Sequence, residues 1–284
     1  MVLAFIPSRK FPAISITGSK CWLMCTYCMG RYLKGMIHVY SPEELLKIAE
    51  YYAERGAVGL LISGGFTREG KLPFKPFIRT IEEIKNKHGL IISVHTGLVD
   101  KEEAIMLKEA GVDIIDYELV LDNTIIKKMK HLNKTINDYI NSYEILLKYG
   151  PPYIAPHILV GLNNGEITWE YEAVDYLAEN NPYMVILLIH IPTPNTPLHS
   201  SKTIDIEEFI DYVKYVRRRI KGEISLGCMR PSRLKKILDS KLIELKLIDR
   251  IVNPRPETIR RFNLKTVPTC CSVPREVLIE KQLL

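Results

Sequence analysis

Ala13-Ile14-Ser15-Ile16-Thr17-Gly18-Ser19-Lys20-Cys21-Trp22-Leu23-Met24-Cys25-Thr26-Tyr27-Cys28 is the stretch that decides the fold. A short apolar, β-branched run reads as a strand and hands the chain to three cysteines spaced C-x3-C-x2-C. Three thiolates this close can hold three irons of a [4Fe–4S] cube and leave the fourth iron open. An open iron can chelate an outside molecule, and a low-potential cluster can pass that molecule an electron. Half a zinc site is the competing reading, but the paired C-x2-C or histidine partners of common zinc modules are missing. A disulfide scaffold fits poorly, because 6 cysteines are sparse in 284 residues.

Outward from this stretch, strand and helix patterns alternate. The other strand-like runs are Gly59–Ser63, Ile91–Thr96, Val112–Leu119, Tyr153–Val160, Met184–Ile191, Ile224–Gly227 and Arg250–Asn253. Amphipathic stretches such as Pro42–Arg55 and Glu102–Ala110 lie between them. Ser41-Pro42-Glu43-Glu44 and Asp100-Lys101-Glu102-Glu103 carry helix-start chemistry, and Gly56, Gly111 and Gly150 are candidate C-caps. Eight strands alternating with helices predict an α/β (β/α)8 barrel of TIM type over residues 1–263. Residues 264–284 read as a cysteine-bearing tail that packs back on the barrel and is not a separate domain. In such a barrel the chemistry gathers at the C-terminal strand ends. Cys21, Cys25 and Cys28, Gly64-Gly65, His95, Asp122, Gly161, His190 and Cys228 all fall at those ends.

Composition sets bounds. The chain is 46% hydrophobic and 25% charged, as in ordinary globular proteins. The longest apolar run, Met184 to Ile191, is far short of the roughly 18 residues of a membrane span. The net charge of +6 is a mild excess, and Arg217-Arg218-Arg219 lacks interleaved aromatics, so neither a membrane nor a nucleic acid is an expected partner. Free cysteines without an export-signal pattern predict a cytoplasmic protein.

The cysteine motif, with Tyr27 before its last cysteine, resembles that of the radical S-adenosylmethionine superfamily. The resemblance implies that Cys21, Cys25 and Cys28 hold a [4Fe–4S] cluster whose open iron binds S-adenosylmethionine, with Tyr27 beside the adenine. Ser63-Gly64-Gly65 resembles the superfamily's G-G-E motif that receives the methionyl amine, although Phe66 replaces the acidic residue. From His95 to Gly150 the order of motifs is similar to biotin synthase and its relatives. This makes Asp122 the match for a ribose-binding carboxylate, and Lys134 the match for an arginine on the methionyl carboxylate. Ile158 to Glu166, with Gly161, resembles the adenine-side motif, and Ile191 to Leu198 a P-x-x-G-T-P-L loop.

The departures narrow the expectation. Ser63, Ser93 and Ala155 or nearby residues stand where biotin synthase has further cysteines for a second cluster. Three cysteines occur elsewhere, in Gly227-Cys228-Met229-Arg230-Pro231 and Thr269-Cys270-Cys271-Ser272. With these, the chain looks similar to the archaeal two-component lipoyl synthase subunits. That resemblance implies an auxiliary [4Fe–4S] cluster on Cys228, Cys270 and Cys271, consumed as a sulfur source for a protein-bound octanoyl chain. The implied partners are an octanoylated carrier protein or peptide, a sister subunit and a ferredoxin-type electron donor. Arg230 and Ser232 are open alternatives for the auxiliary cluster's fourth ligand, and the roles of His95, His157 and His190 are open. Two other readings stand beside this one: another biotin-synthase-like enzyme, such as a carbon-skeleton mutase, and a non-catalytic iron–sulfur or zinc module.

Overall fold

Apolar runs become parallel strands and amphipathic runs become helices throughout residues 2–284, which the computed structural model describes. The chain divides into two units. The first holds Pro7–Tyr117 and Asp122–Ile154, and the second holds residues 2–6, Glu118–Leu121 and Ala155–Leu284.

In the first unit, strands β2 (Ala13–Ser15), β3 (Ile37–His38), β4 (Gly59–Ser63), β5 (Ile91–Val94) and β6 (Ile114–Glu118) form a parallel sheet in the order β6-β5-β4-β2-β3. The last residue of β6 belongs to the second unit. Helices α1 (Pro42–Ala53), α2 (Ile78–His88), α3 (Lys101–Glu109) and α4 (Ile136–Tyr149) supply the connections. The strands read as nearly continuous apolar runs, as expected of parallel sheets covered on both faces. Ile14, Leu60, Ile62, Ile92, Val94, Ile114 and Ile115 are all fully buried.

The helix starts obey the capping chemistry in the sequence. Ser41 Oγ accepts from the Glu44 amide at 3.3 Å, and Pro42 occupies the first turn, where no amide is needed. Asp100 and Glu103 form a reciprocal capping box at α3, with both bonds 3.0 Å. Lys71 ties this box to the loop after β4, with ion pairs of 2.7 Å to Asp100 and 2.6 Å to Glu103. Gly56 and Gly111 adopt left-handed φ of 75° after their helices. Gly150 is instead extended at the end of α4, and a Cβ there would stand 2.6 Å from the Leu146 carbonyl oxygen, so only glycine fits.

The second unit has the parallel order β7-β8-β9-β10-β1-β11. These are β1 (Leu3–Phe5), β7 (Tyr153–Val160), β8 (Met184–Ile189), β9 (Glu223–Leu226), β10 (Arg250–Val252) and β11 (Lys265–Val267). The first two residues of β7 lie in the other unit. Helices α5 (Glu170–Asn180), α6 (Ile206–Arg219), α7 (Ser232–Glu244), α8 (Pro256–Phe262) and α9 (Arg275–Glu280) complete it. The expected α/β class of TIM type is borne out, and all eight expected strands exist. The additional strands β1, β3 and β11 have only two or three residues each, too few to carry a periodic signal. Residues 264–284 contribute β11 and α9. No helix among the described residues is long and apolar enough to cross a membrane.

Candidate functional site

The loop after β2 carries Cys21, Cys25 and Cys28, none of them in a disulfide. The Cys25 carbonyl accepts from the Cys28 amide at 3.0 Å and the Met29 amide at 2.9 Å, a turn that folds the last two cysteines together. Two bulky residues pay for it in strain: Met24 and Met29 have left-handed φ of 44° and 48°. A hydrogen bond with Cys25 holds the Cys28 thiol below its ordinary range, helped by Gly30 and Lys130 and opposed by burial and Cys21. A thiol poised toward thiolate is what a metal ligand requires. Tyr27 is buried within the same loop.

Gly64 and Gly65, directly after β4, support this loop from below. A Cβ on Gly65 would stand 2.0 Å from the Lys20 carbonyl oxygen and 2.5 Å from Cys21 Cα, so only glycine lets the cysteine loop sit here. The Gly65 amide donates to Thr17 Oγ1 at 2.7 Å, and Thr17 Oγ1 donates to the Lys20 carbonyl at 2.9 Å. Trp22 N donates to the Phe66 carbonyl at 2.9 Å. Gly65 therefore shapes the loop itself, a role the motif did not disclose. Three soft donors outside any disulfide, in a strained loop seated in a cradle that a Cβ would fill, fit a three-thiolate cluster.

Asp122 follows β6 at the start of a π-helical turn, Ile125–Met129. Its Oδ1 accepts from the Thr124 amide at 2.6 Å and the Ile125 amide at 2.9 Å, so one carboxylate oxygen caps the turn. Lys134 pairs with Asp138 at 3.4 Å. The π turn delivers Met129 and Lys130 to the cysteine loop. The Met129 carbonyl accepts from the Thr26 amide at 2.8 Å, and the Lys130 carbonyl lies 3.9 Å from Cys25 Sγ. Lys130 is only 2% exposed, and its ammonium lies 5.7 Å from the centre of the Tyr139 ring. Sequence inspection passed over Lys130 because it sits among Lys127 and Lys128 in what reads as a solvated basic run.

In the second unit, Gly161 turns the chain after β7 with φ of 83°. Its amide donates to Glu170 Oε1 at 2.9 Å, while Glu170 Oε2 accepts from Thr168 N at 2.7 Å, so one buried carboxylate holds the loop. The three late cysteines are neighbours. A hydrogen bond with Cys270 pushes the Cys271 thiol well above its ordinary range, reinforced by burial and by the charges of Cys270 and Cys228, and Ser225 works the other way. The Ser225 hydroxyl stands near Cys271 without a hydrogen bond of ordinary geometry. Ser272 Oγ donates to Cys270 Sγ at 3.2 Å. Cys228 is exposed, Cys270 half-buried and Cys271 buried.

The wholly buried Arg250 locks the Cys271 backbone. It donates to the Cys271 carbonyl at 2.7 Å and to the Val273 carbonyl, and pairs with Glu223. Tyr183 Oη adds a bond of 2.6 Å to the Ser272 carbonyl. Arg230, an open alternative for the fourth auxiliary ligand, is corrected by its surroundings. It makes a bidentate pair with buried Asp239 at 2.9 and 2.8 Å and donates to the Gly227 and Val252 carbonyls at 2.7 Å. Its guanidinium is spent on holding the loop that carries Cys228. Ser232 is exposed at the start of α7.

His95 lies 3.3 Å from Ser63 Oγ and 3.6 Å from buried Asp116, which also accepts from Ser93. His157 Nδ1 is 2.9 Å from the Ala155 carbonyl. His190 contacts Ser201 Oγ at 3.0 Å, and burial lowers its pKa to about 4.

Comparison with known proteins places this geometry. A biotin synthase from Coxiella burnetii is 26% identical over 208 residues, covering 72% of this chain and 64% of the relative. A GTP 3',8-cyclase from Staphylococcus haemolyticus is 26% identical over 180 residues, covering 59% of this chain and 50% of the relative. The chain thus spans between half and just under two thirds of these relatives. The crystal structure of methylornithine synthase (PylB) superposes with a TM-score of 0.65 at 16% identity, covering 98% of this chain and 86% of that one; it shares the fold. The Radical SAM superfamily model matches residues 15–170, more than half of the sequence and the whole cysteine loop. The chain belongs to the radical SAM superfamily.

Proposed function

We propose that this chain is a radical S-adenosylmethionine enzyme of the biotin-synthase-like branch, and that it inserts sulfur into C–H bonds of a protein-bound octanoyl chain. The observation that carries the first part is the strained three-thiol loop seated on Gly65. Cys21, Cys25 and Cys28 would hold the cluster. When bound, the cluster supplies the electron that cleaves S-adenosylmethionine reductively to a carbon radical able to abstract hydrogen. Gly65 keeps the loop at the β4 end, and Tyr27, Gly64, Gly65, Asp122, Lys134 and Gly161 are the candidate cofactor contacts. Asp122 has its second carboxylate oxygen to offer a ribose hydroxyl, since the cap engages Oδ1.

The second part rests on the grouping of Cys228, Cys270 and Cys271, with a buried hydroxyl beside them. They would hold an auxiliary [4Fe–4S] cluster that gives up sulfide. An octanoylated carrier protein, a sister subunit and a ferredoxin-type donor complete the proposal, which places the enzyme in the cytoplasm. One observation favours the rival, a sulfur-free biotin-synthase-like enzyme: the Cys271 thiol is buried and pushed up, the state of a structural cysteine.

Anaerobic reconstitution with iron counting separates the two. Wild type should hold about eight irons per chain and the Cys228/Cys270/Cys271 triple Ala variant about four, following two cubane sites. The variant should still form 5′-deoxyadenosine yet transfer no sulfur to an octanoylated peptide, read by mass spectrometry. A variant with unchanged iron that still thiolates the peptide would discard the sulfur-insertion reading. Separately, Ala at Cys21, Cys25 or Cys28 should abolish 5′-deoxyadenosine formation.

A further inference from the structure

The cysteine loop carries two exposed apolar side chains between its first two thiols. Leu23 turns inward, while Trp22 is 67% exposed and Met24 40% exposed. The Trp22 amide donates to the Phe66 carbonyl at 2.9 Å, which fixes the backbone that presents the indole directly beside Cys21. The exposed Arg68 guanidinium lies 5.1 Å from the centre of that indole. A lone exposed apolar residue is ordinary. Tryptophan and arginine, however, are the residue types that most often dominate binding surfaces. The charge around the pair has one sign. Lys20 is exposed and directly precedes Cys21. The Arg31 amide donates to the Cys28 carbonyl at 2.8 Å, and Lys34 stands exposed on the same short helix, Arg31–Gly35. No aspartate or glutamate stands ahead of Glu43 in the chain. The one acid in the neighbouring loop, Glu69, is hydrogen-bonded to Thr67 and feels the charges of Arg68 and Lys134.

We propose that Trp22 and Met24, with the cations Lys20, Arg31, Lys34 and Arg68, form the docking surface for a small acidic iron–sulfur protein that delivers electrons to the cysteine loop. Electron transfer weakens steeply with distance, so a donor has to settle against the surface that carries the ligand cysteines. The step makes and breaks no bond. One electron leaves the reduced iron of the partner, which is oxidised, and reduces the cluster held by Cys21, Cys25 and Cys28 by the same unit. A patch of positive charge steers a negatively charged partner to this face and speeds encounter. Trp22 and Met24 then supply contact area once water leaves the interface. The charge selects the partner as well, because a basic donor would meet like charge at the point of contact. The proposal rests on the reading of the three cysteines as cluster ligands and is independent of sulfur insertion.

The test compares two reductants on the reconstituted full chain: a purified acidic ferredoxin, and photoreduced deazariboflavin, a small uncharged donor that needs no docking surface. The readout is the rate of 5′-deoxyadenosine formation. Arg68→Glu and Lys34→Glu should each lower the rate at limiting ferredoxin about tenfold, by slowing association. Trp22→Ser should lower it by about as much, through loss of the contact anchor. All three variants should keep wild-type iron and the wild-type rate with deazariboflavin. Added salt should depress the ferredoxin-driven rate of wild type more than that of the Glu variants. Unchanged ferredoxin-driven rates in the Glu variants, or a wild-type rate indifferent to salt, overturn the proposal. So does a variant that keeps the ferredoxin-driven rate but no longer thiolates an octanoylated peptide, because the patch would then belong to the carrier protein. If Trp22→Ser loses the deazariboflavin-driven rate as well, the loop itself is damaged, and the two Glu variants decide by the same criterion. Wild type that forms no 5′-deoxyadenosine with either reductant would overturn the cluster assignment itself, a result distinct from a docking failure.

Discussion

At the residue scale, Gly64 and Gly65 look alike in sequence and differ in what surrounds them. A Cβ on Gly64 would meet Leu72 Cδ1 and Thr17 Oγ1 at 3.0 Å, a tight contact that a movement of a few tenths of an ångström relieves. A Cβ on Gly65 would meet backbone at 2.0 and 2.5 Å, which cannot. Gly65→Ala should therefore displace the Lys20–Cys21 segment, cost about 1–3 kcal/mol as an overpacking defect, and lower iron loading sharply. Gly64→Ala should load close to wild type. Iron per chain after reconstitution checks the pair, and equal loading in both would show that the cradle does not shape the loop. The three motif cysteines were legible from their spacing, and the glycine pair from its resemblance to a known motif. Lys130 and the left-handed Met24 and Met29 were not, because burial and φ depend on contacts that no local pattern encodes.

At the element scale, the N-terminus of α3 gathers more charge than its capping box needs. Asp100 is pulled down to a pKa of about 2: burial acts to raise it, but the Lys71 ammonium and hydrogen bonds with Glu103 outweigh that effect. A carboxyl lowered in the folded state contributes stability above its unfolded pKa, near 3.8, and loses that contribution as pH falls toward about 2. Lys71→Met should remove part of this pH dependence. Urea unfolding at pH 3 and pH 6 checks it: the gap between the two midpoints should narrow in the variant, and an unchanged gap would exclude the pair. The helix start itself was readable, since Asp100 and Glu103 stand at capping-box spacing. Lys71 was not, because it reaches the box from 29 residues away. The same distinction explains the strands. Five- to eight-residue runs such as β4 and β7 announce themselves, while β1, β3 and β11 exist through the strands that flank them.

At the scale of the whole molecule, the second unit depends on the end of the chain. β11 pairs with β1, Arg250 donates to the Cys271 and Val273 carbonyls, and Arg275 pairs with Glu223 at 2.7 Å. Burial alone would raise the Glu223 carboxyl, and the two arginines hold it below its ordinary range. Removal of residues 264–284 would strip Arg250 of those carbonyl acceptors, hydrogen bonds to a charged group worth about 1.5–3 kcal/mol each. Hydrogen exchange should then show lost protection in β9 and β10 with β4 and β5 still protected. Uniform protection in the truncated chain would mean that the segment merely rests on the surface. The pairing of β1 has another consequence, for synthesis. A ribosome releases Leu3–Phe5 long before Arg250–Val252 and Lys265–Val267, the two strands that flank it. Every residue of the first unit has emerged by Ile154. During translation, therefore, β1 must wait as an unpaired, wholly apolar edge, the kind of segment that invites capture by a chaperone or by another nascent chain.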